Sequence, residues 1–301
     1  MDQRTVLVIG ESLIDVVPRN GIDERIVGGS PANIAFGLGR LGIPVRFLTG
    51  IARDPDGEAI ASHLASSGVQ LDDASWALGA TSVARVELQP DGSARYDFTI
   101  DSSLPEPELR GETVVHIGSI SAFLSPGADV VEQFIRTLPD DVRVTFDPNI
   151  RASLVTDHEA AVARFERLAS RCTLVKMSDE DAEWLYPALE LPGVLAHLRG
   201  LGAALAVITR GGEGALLQSA AADAVARAPK VTVADTIGAG DTFMTALISR
   251  LATDLPDDLA LDAAALVELG SFAATAAAIT VQRTGADLPW RAELDAALAA
   301  G

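Results

Sequence analysis

The chain has little cysteine, little histidine, a shortage of positive charge and no long hydrophobic run. The one cysteine, Cys172, excludes an internal disulfide and suits a reducing compartment, so a cytoplasmic location is expected. It sits between Arg171 and Thr173-Leu174-Val175 and reads as a buried strand residue. None of the four histidines falls in a metal-ligand spacing, so no zinc site is expected. Lys and Arg number 23 against 42 Asp and Glu, a formal net charge of -19. That excess repels nucleic acid and anionic membrane surfaces, and neither is expected as a partner. It does not exclude a phosphate ligand held by a helix end and a divalent cation. The apolar tract at 273–281 is short for a membrane span and has Glu268 just before it. The opening run Val6-Leu7-Val8-Ile9 is too short, and too soon followed by Glu11, for a signal peptide. The chain also lacks Gly-x-x-x-x-Gly-Lys-Ser/Thr, His-Arg-Asp, and a Gly-x-Gly-x-x-Gly after the first strand. Those absences exclude three common nucleotide-site templates.

What is present suits one large α/β domain over residues 1–301, with 48% hydrophobic residues to fill its core. Val6 to Ile9, closing at Gly10, reads as a strand covered on both faces. Residues 44–51, 113–117, 142–146, 173–176 and 204–208 read the same way, with a shorter strand at 215–217. Helical patterns follow: from Ser30, a candidate cap with Pro31 behind it, to Gly42; at 55–68; after Pro126; after Ser178; at 259–281; and at 290–300. Strands alternating with helices imply a mainly parallel sheet between helical layers. His116 reads as a packed sheet residue.

Two stretches break that rhythm. Residues 12–27 turn at Pro18-Arg19-Asn20-Gly21, and residues 81–100 alternate apolar and polar on both sides of Pro90-Asp91-Gly92. Both read as half-exposed hairpins, which together would make a small sheet outside the main one. Such a sheet needs covering by a ligand or a partner. Tyr96 and Phe98 fit either as aromatics of that sheet or as plain core. Asp15, with apolar neighbours, is either a salt-bridged surface group or a ligand for something polar.

The most informative stretch is Asp235-Thr236-Ile237-Gly238-Ala239-Gly240-Asp241-Thr242-Phe243. Val231-Thr232-Val233 before it reads as a strand, and residues 244–248 after it as a helix. Free N–H groups and the dipole at a helix start favour an anion. A carboxylate there makes sense if Asp241 takes a proton from a hydroxyl attacking phosphorus, with the N–H groups of 237–240 steadying the moving charge. A capped tight turn explains the same residues without any chemistry.

These residues resemble the C-terminal motif of the ribokinase-like (PfkB) sugar kinases. The resemblance runs in order from Gly10 to Ala286. Gly10-Glu11 with Asp15 resembles the opening of fructokinase-type members, and Gly28-Gly29-Ser30-Pro31-Ala32-Asn33 their sugar-binding motif. Asp147-Pro148-Asn149-Ile150-Arg151 resembles a run of fructokinases and keto-sugar kinases, without the tryptophan that often follows. Thr209-Arg210-Gly211-Gly212-Glu213-Gly214 resembles the nucleotide-side loop.

The resemblance implies a three-layer α/β/α sandwich with a small β-sheet lid, through which many members form homodimers. It implies Asp241 as base and Gly238, Ala239 and Gly240 as anion hole. Asp15, Gly28, Gly29, Asn33, Phe98, Asn149 and Arg151 would meet a monosaccharide: fructose first, then 2-keto-3-deoxygluconate. Lys176, Glu180, Thr209, Gly211 and Gly214 would meet ATP. Glu180 would hold Mg²⁺ through water, with Asp179 standing where many relatives have asparagine. Asp235 and Ile237 match positions that bind K⁺ in several relatives. Thr245 and Ala274 depart from the pattern, toward a bulkier residue behind the turn and away from an asparagine near adenine.

Overall fold

The computed structural model describes residues 4–19, 22–88 and 94–300. The turns at Asn20-Gly21 and Pro90-Asp91-Gly92 and the side chain of Tyr96 lie outside the described residues. The chain opens with β1 (Val6–Ile9), β2 (Leu13–Arg19) and β3 (Ile22–Gly28), then α1 (Ser30–Arg40), β4 (Val45–Leu48), α2 (Pro55–Ala65) and the short β5 (Gln70–Leu71). Next come β6 (Val83–Leu88) and β7 (Ala94–Thr99), followed by β8 (Val114–Gly118), α3 (Gly127–Thr137), β9 (Arg143–Asp147) and α4 (His158–Ala169). β10 (Leu174–Ser178), α5 (Asp179–Leu185), α6 (Leu191–Leu201), β11 (Leu205–Thr209), β12 (Ala215–Gln218) and β13 (Asp223–Ala226) lead to α7 (Ala239–Thr253), α8 (Ala263–Val281) and α9 (Arg291–Ala300).

The larger sheet has nine strands in the order β13-β12-β11-β10-β9-β8-β1-β4-β5. Only the pairings β11–β12 and β12–β13 are antiparallel. Alternate residues of each strand enter different cores. Val6, Val8, Val114, Leu174 and Val207 pack under α1, α2, α7 and α8. Leu7, Ile9, Val115, Val144 and Val175 pack under α3, α4, α5 and α6. Because the side-chain period is two, a one-residue slip would exchange the two sets, so both cores pin the register. Fully burying a side chain such as Phe47 or Phe146 contributes roughly 1.5–3 kcal/mol relative to exposure.

One departure bears on the site. The α7-facing side of the central strands carries His116, Thr145, Asp147 and Lys176, all buried, where its neighbours are apolar. This face lies beneath the α7 N-terminus.

The small sheet has four strands, order β3-β2-β6-β7, formed by the two hairpins expected from the alternation. β2 joins them by running parallel to β6, with Asp15 opposite Ala84.

Four expectations are corrected. Val231-Thr232-Val233 is not a strand: β13 already takes the last place in the sheet, Val233 is exposed, and the next amides, Ala234 and Asp235, donate to the Val281 carbonyl. Cys172 is buried but precedes β10, its thiol turned to the Leu168 carbonyl, and burial pushes that thiol up. Ser30 does not cap α1. The residue before the helix is Gly29, at φ 103°, a conformation glycine takes without a Cβ penalty. The last long apolar helix begins at Ala263, not at 259, because Leu259 takes a positive φ and Asp262 caps the helix. By length and composition α8 could cross a membrane; half of its apolar window is buried here.

Candidate active site

The ends of β1, β8, β9, β10 and β11 converge on one edge of the sheet, and strand order reverses between β1 and β8. A crevice at the carboxyl ends beside such a reversal is where open α/β sheets take ligands. α7 begins above it. Its N-cap is Gly238 at φ 78°, and no side chain caps the helix. The Ala239 amide donates to the Thr236 carbonyl at 3.2 Å, and the next two amides, of Gly240 and Asp241, are left to an anion, aided by the helix dipole. A Cβ on Gly238 would lie 2.7 Å from the Ala286 Cβ, so both space and backbone angle demand glycine.

Asp241, only 8% exposed, stands in that first turn. Ser30 Oγ donates to its Oδ1 at 2.6 Å, and Asn33 Nδ2 donates to its Oδ2 at 2.7 Å. Both donors lie on the first turn of α1, so the Gly28–Asn33 motif and the Gly238–Asp241 motif, more than 200 residues apart, meet at one carboxylate. Ser30 was read as a cap; starting α1 one residue earlier frees its hydroxyl for this bond. Thr245 fits as the bulkier residue behind the turn: it is buried against Gly37 of α1, which has no side chain to obstruct it.

On the small sheet, Asp15 is half-buried on β2. Burial pushes its carboxyl up to about 6, and the Arg151 charge opposes that rise. Gly28 leaves the space that the Asp15 carboxylate fills. Arg151 Nη1 donates to Asn149 Oδ1 at 2.6 Å, and Asn149 takes φ 38°. The loop after β9 thus brings the Arg151 charge within reach of Asp15. Phe98 is half-buried on β7 of the same small sheet.

On the other side, Thr209 Oγ1 donates to the Met177 carbonyl at 3.3 Å, and Gly211 and Gly214 shape the loop after β11 with positive φ. Asp235 accepts from the amides of Ile237 at 3.0 Å and Gly285 at 2.9 Å, tying the two loops that flank the α7 start. Ala274 is buried in α8. Glu180 is exposed. The next acid, Asp181, turns inward: it accepts from Ser178 in a capping box and from the Ile150 amide at 2.7 Å. Sequence reading named Glu180 and passed over Asp181; the capping-box spacing from Ser178 was the signal for it.

Lys176 is buried rather than free. Its Nζ donates to Asp147 Oδ2 at 2.6 Å and lies 3.3 Å from where a Cβ on Gly240 would stand. Burial raises the Asp147 carboxyl to about 6 against the pull of Lys176, with Asp181 and Asp241 adding to the rise. His116 Nδ1 bonds Thr145 Oγ1, and burial holds the ring neutral, down to about 3.

Among the described residues no group of three or more His, Cys, Asp or Glu converges to hold a metal directly. Glu180, at the start of α5, is an exposed acid of this edge. That pattern suits Mg²⁺, which keeps its waters and uses one or two carboxylates plus substrate phosphates.

An uncapped helix start with a buried carboxylate, at the carboxyl ends of a parallel sheet, is an arrangement suited to phosphoryl transfer. The chain belongs to the PfkB family of carbohydrate kinases, whose model matches residues 3–293. It is 34% identical to a fructokinase of Rhizobium leguminosarum bv. trifolii over 262 residues, 83% of this chain and 80% of that protein. It shares its fold with an ATP-bound fructokinase of Xylella fastidiosa (TM-score 0.86, 24% identity, 99% of each chain). It shares it also with a Vibrio cholerae fructokinase bound to fructose, ADP and potassium (TM-score 0.84, 23% identity, 99% and 100% covered).

Proposed function

We propose that the chain transfers the terminal phosphoryl group of ATP to a primary hydroxyl of fructose. The observation that carries this reading is Asp241, fixed at the open α7 start by Ser30 and Asn33 from the sugar-side motif. An ionised carboxylate has about four lone-pair sites, so these two bonds leave room for a substrate hydroxyl. The hydroxyl oxygen attacks phosphorus, the bond to the ADP oxygen breaks, and the hydroxyl proton passes to Asp241. Amides at Gly238 and Gly240 face the charge that develops on the phosphoryl oxygens, and the Ala239 amide joins them by sharing its bond to the Thr236 carbonyl. Mg²⁺ would neutralise the phosphates, held through water by the acids after β10, and K⁺ would sit by Asp235 and the Ile237 carbonyl. Asp15, Asn33, Asn149 and Arg151 orient the sugar. The lid sheet pairs two copies in this reading, in the cytoplasm. The relatives named fructokinase support fructose as the sugar of this reading.

The test is ADP release over fructose, 2-keto-3-deoxygluconate, ribose and a nucleoside, with and without potassium. Fructose is expected to give the highest kcat/KM. A higher value for another sugar would replace the substrate, and no ADP release with any would end the kinase reading.

A further inference from the structure

We propose that Asp147 is a positioning residue for phosphoryl transfer, acting through Lys176 on the anion-binding turn. The inference rests on the reading of Gly238 to Asp241 as the phosphoryl site. β9 and β10 run parallel with Thr145 beside Leu174 and Phe146 beside Val175, which sets Asp147 against Lys176 at the strand ends. The pair is 1% and 3% exposed. Taking two charges out of water is costly, and an apolar pair of similar volume would suit the surrounding core as well or better. A further reason for the pair is therefore needed, and bracing does not supply it. Asp181, a bracing carboxylate, satisfies Ser178 and the Ile150 amide with its two oxygens. Asp147 spends one oxygen on Lys176, and among the described residues its Oδ1 is buried with no partner.

What Asp147 does is place the ammonium. An ammonium has three N–H donors, and among the described residues Lys176 donates to Asp147. The nitrogen is stationed directly beneath Gly240, where a side chain would touch it. The neutral His116 feels the Lys176 charge, and Asp181 and Asp241 are the carboxylates whose charges reach the pair at Asp147. Without Asp147 the ammonium would be left to those two carboxylates, and pairing with Asp241 would blunt the base. Asp147 thus holds a positive charge under the turn while keeping it off the proton acceptor.

The test is a double-mutant cycle of Asp147→Asn and Lys176→Met in the full chain, reading kcat, KM for each substrate and Tm. Asp147→Asn is expected to lower kcat by about 10²-fold, as a displaced group does, and to leave KM for fructose within about threefold. Lys176→Met should lose as much or more. The double variant should be no slower than Lys176→Met alone, because Asp147 acts through the lysine, while melting above both single variants. Three results overturn the proposal: unchanged kcat in Asp147→Asn, full recovery of kcat in the double variant along with Tm, or a further loss from Asp147→Asn in the Lys176→Met background. A wild type idle with fructose overturns the sugar assignment alone, and the same pattern is then expected with the panel's best sugar.

Discussion

Asp241 stands in the first turn of a 15-residue helix, with each carboxylate oxygen bonded to a side chain of α1. Asp15 lies mid-strand in the small sheet, with burial pushing its carboxyl up and the Arg151 charge holding it down. The first is fixed by hydrogen bonds between two helices that pack on the large sheet. The second depends on a loop, a covering sheet and one opposite charge. On the proposed reading, proton transfer at Asp241 needs geometry held to a fraction of an ångström, and the helical wall suits that task. Sugar binding needs a wall that can admit and enclose a ligand, and a sheet with one open face suits that task. The difference predicts that damage at Asp241 will appear in kcat, and damage at Asp15 in KM and its pH dependence.

The largest effect should come from Asp241→Asn. Removing a positioned general base costs roughly 10²–10⁴-fold in rate. The new amide also sets an N–H against Ser30 or Asn33, both of which donate to this site, so a modest fall in Tm accompanies it. ADP formation at saturating sugar checks the rate, and near-normal turnover in a folded variant would remove Asp241 from the chemistry. Gly238→Ala comes next. Its φ of 78° and the 2.9 Å from the new Cβ to the Ala286 Cα add left-handed strain to a clash, together about 1–3 kcal/mol of stability. A lower Tm and a lower kcat are both expected. A variant that keeps both would show that the turn is not held as tightly as the helical wall requires.

How much of this was readable from residues alone follows from the range of the interactions. The covered strands were legible because runs such as Val6-Leu7-Val8-Ile9 carry their burial in consecutive letters. The small sheet was legible because alternation is also local, and its two hairpins do pair. Gly238 to Asp241 was legible as a helix start. The wrong strand at 231–233 came from the same rule: alternation marks a strand only if an edge is free, and Asp223–Ala226 had taken it. Ser30 was misread as a cap because one positive φ at Gly29 shifts the helix start by a residue. Glu180 and Asp181 are neighbours of like charge, and only the turn closed by Ser178 decides which points inward. The stripe of His116, Thr145, Asp147 and Lys176 was beyond sequence reading, because it exists only once three strands take their register.

The smallest expected effect tests the lid side. With its carboxyl near 6 in the free enzyme, Asp15 is ionised above that pH and gains a proton below it. A neutral carboxyl is a poorer acceptor for sugar hydroxyls than a carboxylate, whose bonds are charge-assisted. So kcat/KM for fructose should fall as pH drops through about 6, approaching about tenfold per unit below it. kcat at saturating sugar should change less, because bound hydroxyls favour the ionised form. Asp15→Asn should raise KM and flatten that limb. Arg151→Ala, which removes the charge that opposes the rise, should move the limb to higher pH. Asp147 also lies near 6, and the two are separable: an acid limb that survives Asp15→Asn and appears equally in kcat belongs to the phosphate side. That outcome would move the pH dependence from the small sheet to the Asp147–Lys176 pair at the strand ends beneath the α7 start.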